Sequence, residues 1–95
     1  MMGTSLPEPR ETRLRRLKMR SMRRGMREMD LILTAFAASE LDGMSDAELD
    51  RYDQLLEEYD PDLYRWIAGQ QPPPEEHRAL VERIARGASG VTGRL

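Results

Sequence analysis

The densest run of chemically capable side chains in this sequence is Arg20-Ser21-Met22-Arg23-Arg24-Gly25-Met26-Arg27-Glu28-Met29-Asp30. Each arginine carries a planar fork of donors that fits a carboxylate or a phosphate. A glycine in the middle of the run allows another backbone to approach closely. Glu28 falls in the first turn of what reads as a helix, where the helix dipole stabilises negative charge. Arg24 and Glu28 are four residues apart, so on one continuous helix they would simply pair, for about 0.3–0.5 kcal/mol. The chemistry on offer is recognition by charge-assisted hydrogen bonds rather than bond making.

The rest of the composition points the same way. The chain has no cysteine and one histidine. Disulfides, thiolate chemistry, cysteine-ligated zinc and a multi-histidine metal site are therefore excluded for a single chain. A Ser-His-Asp triad would have to use His77, and no nucleophile elbow is present. His77, beside Glu75 and Glu76, reads as an exposed polar residue. The acidic pairs Glu57/Glu58 and Asp60/Asp62 read as helix caps and solvated charge, and no sugar cleft is indicated for paired carboxylates. Met22, Met26 and Met29 read as core and rim, with Met26 a candidate exposed contact. Trp66 reads as core.

Elements that could position the Arg20–Asp30 run follow from length and patterning. At 95 residues there is room for one domain with a thin core. The chain is 39% hydrophobic and 34% charged, with a mean hydropathy of -0.70. No apolar run approaches the roughly 20 residues of a membrane span, and the N-terminus lacks a secretory pattern. Charge is uneven. Residues 1–30 carry nine Arg/Lys against four Asp/Glu, and residues 31–76 carry twelve Asp/Glu against two Arg. That asymmetry predicts a basic face and an acidic face.

Apolar spacing is helical throughout. Helix one is expected from about Glu11 to Met22, with Leu14, Leu17, Ser21 and Met22 in a narrow stripe. Gly25 breaks it. Helix two, about Met26 to Leu41, turns Met29, Ile32, Leu33, Phe36, Ala37 and Leu41 inward. After Asp42-Gly43-Met44, Ser45-Asp46-Ala47-Glu48 forms a capping box for helix three, which runs to about Glu58 and presents Leu49, Tyr52, Leu55, Leu56 and Tyr59. Asp60 caps helix four, with Pro61 and Asp62 in its first turn and Leu63, Trp66 and Ile67 buried. Gly69 ends it, and Pro72-Pro73-Pro74 is a stiff spacer. Helix five, about Glu75 to Arg86, presents Leu80, Val81 and Ile84 and stops at Gly87. The fold class is all-α, a small five-helix bundle over residues 11–87, with a disordered lead at 1–10 and a flexible tail at 88–95.

The pattern Arg24-Gly25, then Glu28 and Asp30, resembles the signature of the succinate dehydrogenase assembly factor family, the small flavinylation factors. A second block, Asp60-Pro61-Asp62-Leu63-Tyr64-Arg65-Trp66, is similar to another of that family. The resemblance spans about residues 12–86. It implies a five-helix assembly factor, not an enzyme, that binds the flavoprotein subunit of succinate dehydrogenase, and in some bacteria that of fumarate reductase. It further implies promotion of covalent FAD attachment to a histidine of that subunit. Arg24, Gly25 and Glu28 would form the docking surface with Asp30 beside them, and Arg20 and Arg27 complete the expected partner-binding set. No catalytic residue, no metal and no tightly bound cofactor is expected, the FAD being handled on the partner. The free protein is expected to be a monomer of the bacterial cytoplasm, away from nucleic acid and membrane. Two other readings stay open on residues alone: an antitoxin-like binding module, and a nucleic-acid binder using the arginine face of helix one.

Overall fold

A computed structural model of the chain describes residues 8–92. The elements are α1 (Arg10–Arg20), α2 (Arg27–Glu40), a 3-10 turn (Leu41–Gly43), α3 (Asp46–Leu55), α4 (Asp60–Ile67), a second 3-10 turn (Glu75–His77) and α5 (Arg78–Thr92). There is no strand among the described residues, so the all-α bundle expected from periodicity is what forms. No described helix is long and apolar enough to cross a membrane.

The central element is α2, which packs on α5, α4 and α1. Its inward side chains Met29, Ile32, Leu33, Phe36 and Ala37 are the ones its spacing predicts. They meet Leu17 of α1, Leu49, Tyr52 and Leu55 of α3, Leu63, Trp66 and Ile67 of α4, and Leu80, Val81 and Ile84 of α5 in one cluster. Tyr52 joins this core through its ring, 5.5 Å from that of Phe36. Its hydroxyl reaches Ser21 Oγ at 2.6 Å. Ser21 spends its own hydrogen on Leu17 O at 2.8 Å, so Tyr52 is the donor of the pair. Burial pushes the Tyr52 hydroxyl up to about 12. The Ser45 capping box is present, with Glu48 N–H donating to Ser45 Oγ at 3.1 Å and Ser45 N–H to Glu48 Oε1 at 2.8 Å. Gly69, at φ 78, ends α4 in the left-handed region that glycine adopts without strain.

Several boundaries differ from the sequence expectation. α1 stops at Arg20 and α3 at Leu55. Beyond those ends the helical register no longer applies, so Met22 and Tyr59 lie exposed rather than in the core. α5 begins later, behind the 3-10 turn, and runs through Gly87 to Thr92. Ala88 is buried, and packing that next turn onto the core outweighs the roughly 1 kcal/mol penalty of a helical glycine. Residues 1–7 of the expected lead and 93–95 of the expected tail lie outside the described residues.

The two charge blocks meet inside the molecule. Arg10 pairs with Asp46 at 3.0 Å, Arg13 with Asp50, Arg16 with Asp53 at 3.1 Å, and Arg20 with Asp53 and, at 2.7 Å, with Glu57. This ladder joins the basic face of α1 to the acidic face of α3 and the turn after it. Hydrogen bonds that Arg16 donates to Glu8 and Asp53 raise its pKa further above its already high ordinary value.

Candidate functional site

The site is the corner between α1 and α2, residues 21–28, and the far-off residue that holds it. The backbone leaves α1 through Ser21 and Met22 and reverses at Arg23, whose φ of 55 is left-handed. Asp30 stabilises that reversal: its Oδ1 accepts from Arg23 N–H at 2.8 Å and from Thr34 Oγ1 at 3.3 Å. A residue expected to face a partner thus serves first to close its own turn.

Arg24 comes next and points inward. Its Nε and Nη2 donate to Asp60 Oδ1 at 3.0 and 2.7 Å, Nη1 donates to Arg20 O at 3.1 Å, and Nη2 also to Leu56 O at 3.1 Å. Four of the five guanidinium donors are therefore committed. The other carboxylate oxygen, Asp60 Oδ2, accepts from Gly25 N–H at 2.7 Å and weakly from Met26 N–H at 3.4 Å. One buried carboxylate grips both the arginine side chain and the backbone that follows it. The side chains of Arg24 and Asp60 are only 11% and 10% exposed. At that burial a charged pair holds position because breaking either half would strand the other.

This arrangement corrects two local readings. Asp60 does not cap α4: it is the first residue of that helix, the preceding position belongs to Tyr59, and no side chain caps the end. Arg24 does not pair with Glu28 four residues on, because Arg24 lies before the helix begins and its fork is turned toward Asp60. Asp60 is the functional residue that local reasoning missed, since its partners are 35 and 36 residues away. The signal that could have found it is the pairing of the two sequence blocks, one opening at Arg24 and the other at Asp60.

Past the clamp, the chain turns outward. Gly25, Arg27 and Glu28 are exposed, and among the described residues neither Arg27 nor Glu28 has an ion-pair partner. Glu28 sits in the first turn of α2, where the dipole favours its charge. Gly25 has no internal need to be glycine. Its φ is not left-handed, and a Cβ there would meet only Asp60 Oδ2, at an ordinary 3.5 Å. Of the six expected partner-binding residues, then, Gly25, Arg27 and Glu28 form an exposed lip. Arg24 holds that lip in place, Asp30 shapes its turn, and Arg20 is engaged in the ladder.

His77 is a further correction. It is buried, at 2% exposure, with Nε2 3.0 Å from Glu58 Oε2 and 3.7 Å from Glu76 Oε2, and its ring is 6.0 Å from that of Trp66. The spacing His77, Leu80, Val81, Ile84, Ala88 continues one inner face, and extending it backward from Leu80 would have placed His77 inside. Glu58, Glu76 and His77 could offer a cation three atoms within 4.8 Å of one another. A ligating imidazole almost always donates its other N–H to an acceptor, and His77 Nδ1 has no such partner among the described residues. The group instead latches the start of α5 to the turn after α3. Elsewhere, a cleft of about 360 Å3 between α2 and α5 is lined by Ile32, Phe36, Ser39 and Arg83 among others. Of its charged members Glu40, Arg83 and Arg86, Arg83 already bonds Glu40 and Glu48.

Comparison with known proteins agrees with the resemblance of the two blocks. The family model described as the flavinator of succinate dehydrogenase matches residues 15–88. Succinate dehydrogenase assembly factor 2, mitochondrial, of Meyerozyma guilliermondii is 52% identical over 59 residues, covering 62% of this chain and 44% of the relative. Assembly factor 2-A, mitochondrial, of Drosophila yakuba is 40% identical over 91 residues, covering 90% of this chain and 56% of the relative. The FAD assembly factor SdhE of Legionella pneumophila is 42% identical over 62 residues, covering 65% of this chain and 78% of the relative. The chain thus spans about half the length of these mitochondrial relatives.

Proposed function

Since this chain belongs to the family of the flavinator of succinate dehydrogenase, we propose that it is an assembly factor that docks on the flavoprotein subunit of that enzyme and promotes covalent attachment of FAD there. The observation that carries this reading is the exposed lip Gly25–Arg27–Glu28, held rigid by the Arg24–Asp60 clamp and bearing two opposite charges with no partner among the described residues. A side-chain-free Gly25 admits the partner backbone, and Arg27 and Glu28 make charge-assisted hydrogen bonds across the contact. Arg24 acts as a positioning residue for that surface.

In this reading the chain supplies no bond-making group and is not an enzyme. Attachment requires the flavoprotein's own histidine to lie against the flavin ring while negative charge develops on the isoalloxazine. Proximity and orientation of that kind are worth up to about 7–11 kcal/mol. A chaperone that binds the attachment-ready arrangement better than the others shifts the population toward it. The FAD stays on the partner. The bacterial cytoplasm is the setting we assign, in keeping with the bacterial relative from Legionella pneumophila. The flavoprotein of fumarate reductase is a second client to test, and the free protein is read as a monomer.

Against the nucleic-acid reading, four arginines of α1, Arg10, Arg13, Arg16 and Arg20, already face carboxylates. The proposal is tested by incubating the purified flavoprotein subunit and FAD with the wild-type chain and with Gly25→Arg. Covalent flavin is read by in-gel fluorescence and complex formation by co-purification. The expected result is a folded variant that neither binds nor promotes attachment. A Gly25→Arg protein that still co-purifies with the flavoprotein would overturn the docking role.

A further inference from the structure

Four large apolar side chains are well exposed among the described residues: Met19 at 64%, Met22 at 42%, Leu31 at 46% and Tyr59 at 70%. Two of them adjoin the lip, Leu31 along α2 and Tyr59 through the Asp60 clamp. Leu31 follows Arg27 by four residues and Glu28 by three on α2, so the three side chains share one helix face. Tyr59 immediately precedes Asp60, whose carboxylate accepts the Gly25 N–H at 2.7 Å. The clamp that fixes Gly25 therefore fixes the backbone carrying Tyr59 beside it. Both side chains stay exposed in the folded chain. Tyr59 is turned out of the core because α3 ends at Leu55, leaving an aromatic side chain in water where its burial would be favourable.

We propose that Tyr59 and Leu31 are the apolar anchors of the docking surface, flanking the Arg27–Glu28 charges and seating in apolar hollows of the flavoprotein subunit. This inference rests on the docking reading above and extends it to residues outside the Arg24–Glu28 pattern. The partner it fits presents an acidic group opposite Arg27, a basic group opposite Glu28, and apolar hollows wide enough for a tyrosine ring and a leucine. Tyrosine suits such a role because it brings a large, rigid contact area at low entropic cost, and a few such anchors dominate interface energies.

The test uses the purified full chain and the purified flavoprotein subunit of succinate dehydrogenase with FAD, titrated by calorimetry. Tyr59→Ala should weaken binding about tenfold or more and Leu31→Ala by several-fold, with thermal midpoints unchanged because both side chains are exposed. Tyr59→Phe should restore most of the affinity, and Met19→Ala on α1 should bind like the wild type. If Arg27→Glu abolishes binding while Tyr59→Ala and Leu31→Ala stay within about twofold of wild type, well below a hot-spot effect, the anchors are refuted and the docking reading stands. If the wild type does not bind at all, the docking reading falls and the anchors with it.

Discussion

Replacing Asp60 with alanine should cost the bundle about 3–4 kcal/mol, near the lower end of what breaking a buried ion pair costs. Two charge-assisted bonds from Arg24 are lost, each worth about 1.5–3 kcal/mol net, together with the acceptor for Gly25 N–H. Arg24 keeps the carbonyls of Arg20 and Leu56, which holds the figure down. A chain of this size has a total stability of roughly 5–14 kcal/mol, and about 4–8 °C of midpoint follows each kcal/mol. The thermal midpoint should therefore fall by about 12–30 °C. Urea unfolding followed by circular dichroism and by fluorescence of the single tryptophan, Trp66, measures the loss. A double-mutant cycle with Arg24→Leu should show a coupling of about 2 kcal/mol or more. Were Asp60 only a helix cap, its removal would cost about 1 kcal/mol and be additive with Arg24→Leu. That outcome would refute the clamp. Asp62→Ala, which removes only the half-exposed pair with Arg65, is the internal control and should cost a few tenths of a kcal/mol.

Gly25→Ala should fold with a midpoint close to wild type, because the added Cβ finds a 3.5 Å contact and no strain; a lost interaction with the flavoprotein would then report an external demand for glycine, and a large drop in stability would contradict the geometry. Alkaline stability should follow Tyr52. Its folded-state value lies above its ordinary 10, at about 12, so the neutral hydroxyl's contribution is complete below pH 10 and is lost as pH rises from 10 toward 12. The loss amounts to about 2–3 kcal/mol. Urea midpoints measured across that window should fall for wild type and stay flatter for Tyr52→Phe; parallel curves would assign the effect elsewhere. Asp53→Ala removes the carboxylate shared by Arg16 and Arg20 and should cost about 1–2 kcal/mol at low salt. The deficit should shrink in 1 M NaCl, where the screening length is about 3 Å; a deficit that ignores salt would mean that lost packing, not charge, is responsible.

Sequence order alone determined the parts of this protein that depend on short-range rules. The inward faces of α2, α4 and α5 follow from residues three and four apart, the Ser45–Glu48 box from a cap and its third neighbour, and the α4 stop from the left-handed preference of Gly69. The break near Gly25 was legible for the same reason, and so was the place of Glu28 in the first turn of the helix that follows. Tertiary structure decided what those pieces touch. A carboxylate at position 60 can cap its own helix or cross to an arginine 36 residues earlier, and only the packing of α4 against α2 brings Gly25 and Arg24 within its reach. The helix ends at Arg20 and Leu55 expose Met22 and Tyr59, and the buried Ala88 carries α5 past Gly87. The basic and acidic stretches, visible as opposed blocks of charge, proved to be each other's partners, because α1 and α3 lie close enough for long arginine side chains to bridge them. Local propensity is a difference of about 1 kcal/mol per residue, whereas a buried ion pair or a packed helix turn is worth several, so wherever the two compete the three-dimensional contact prevails.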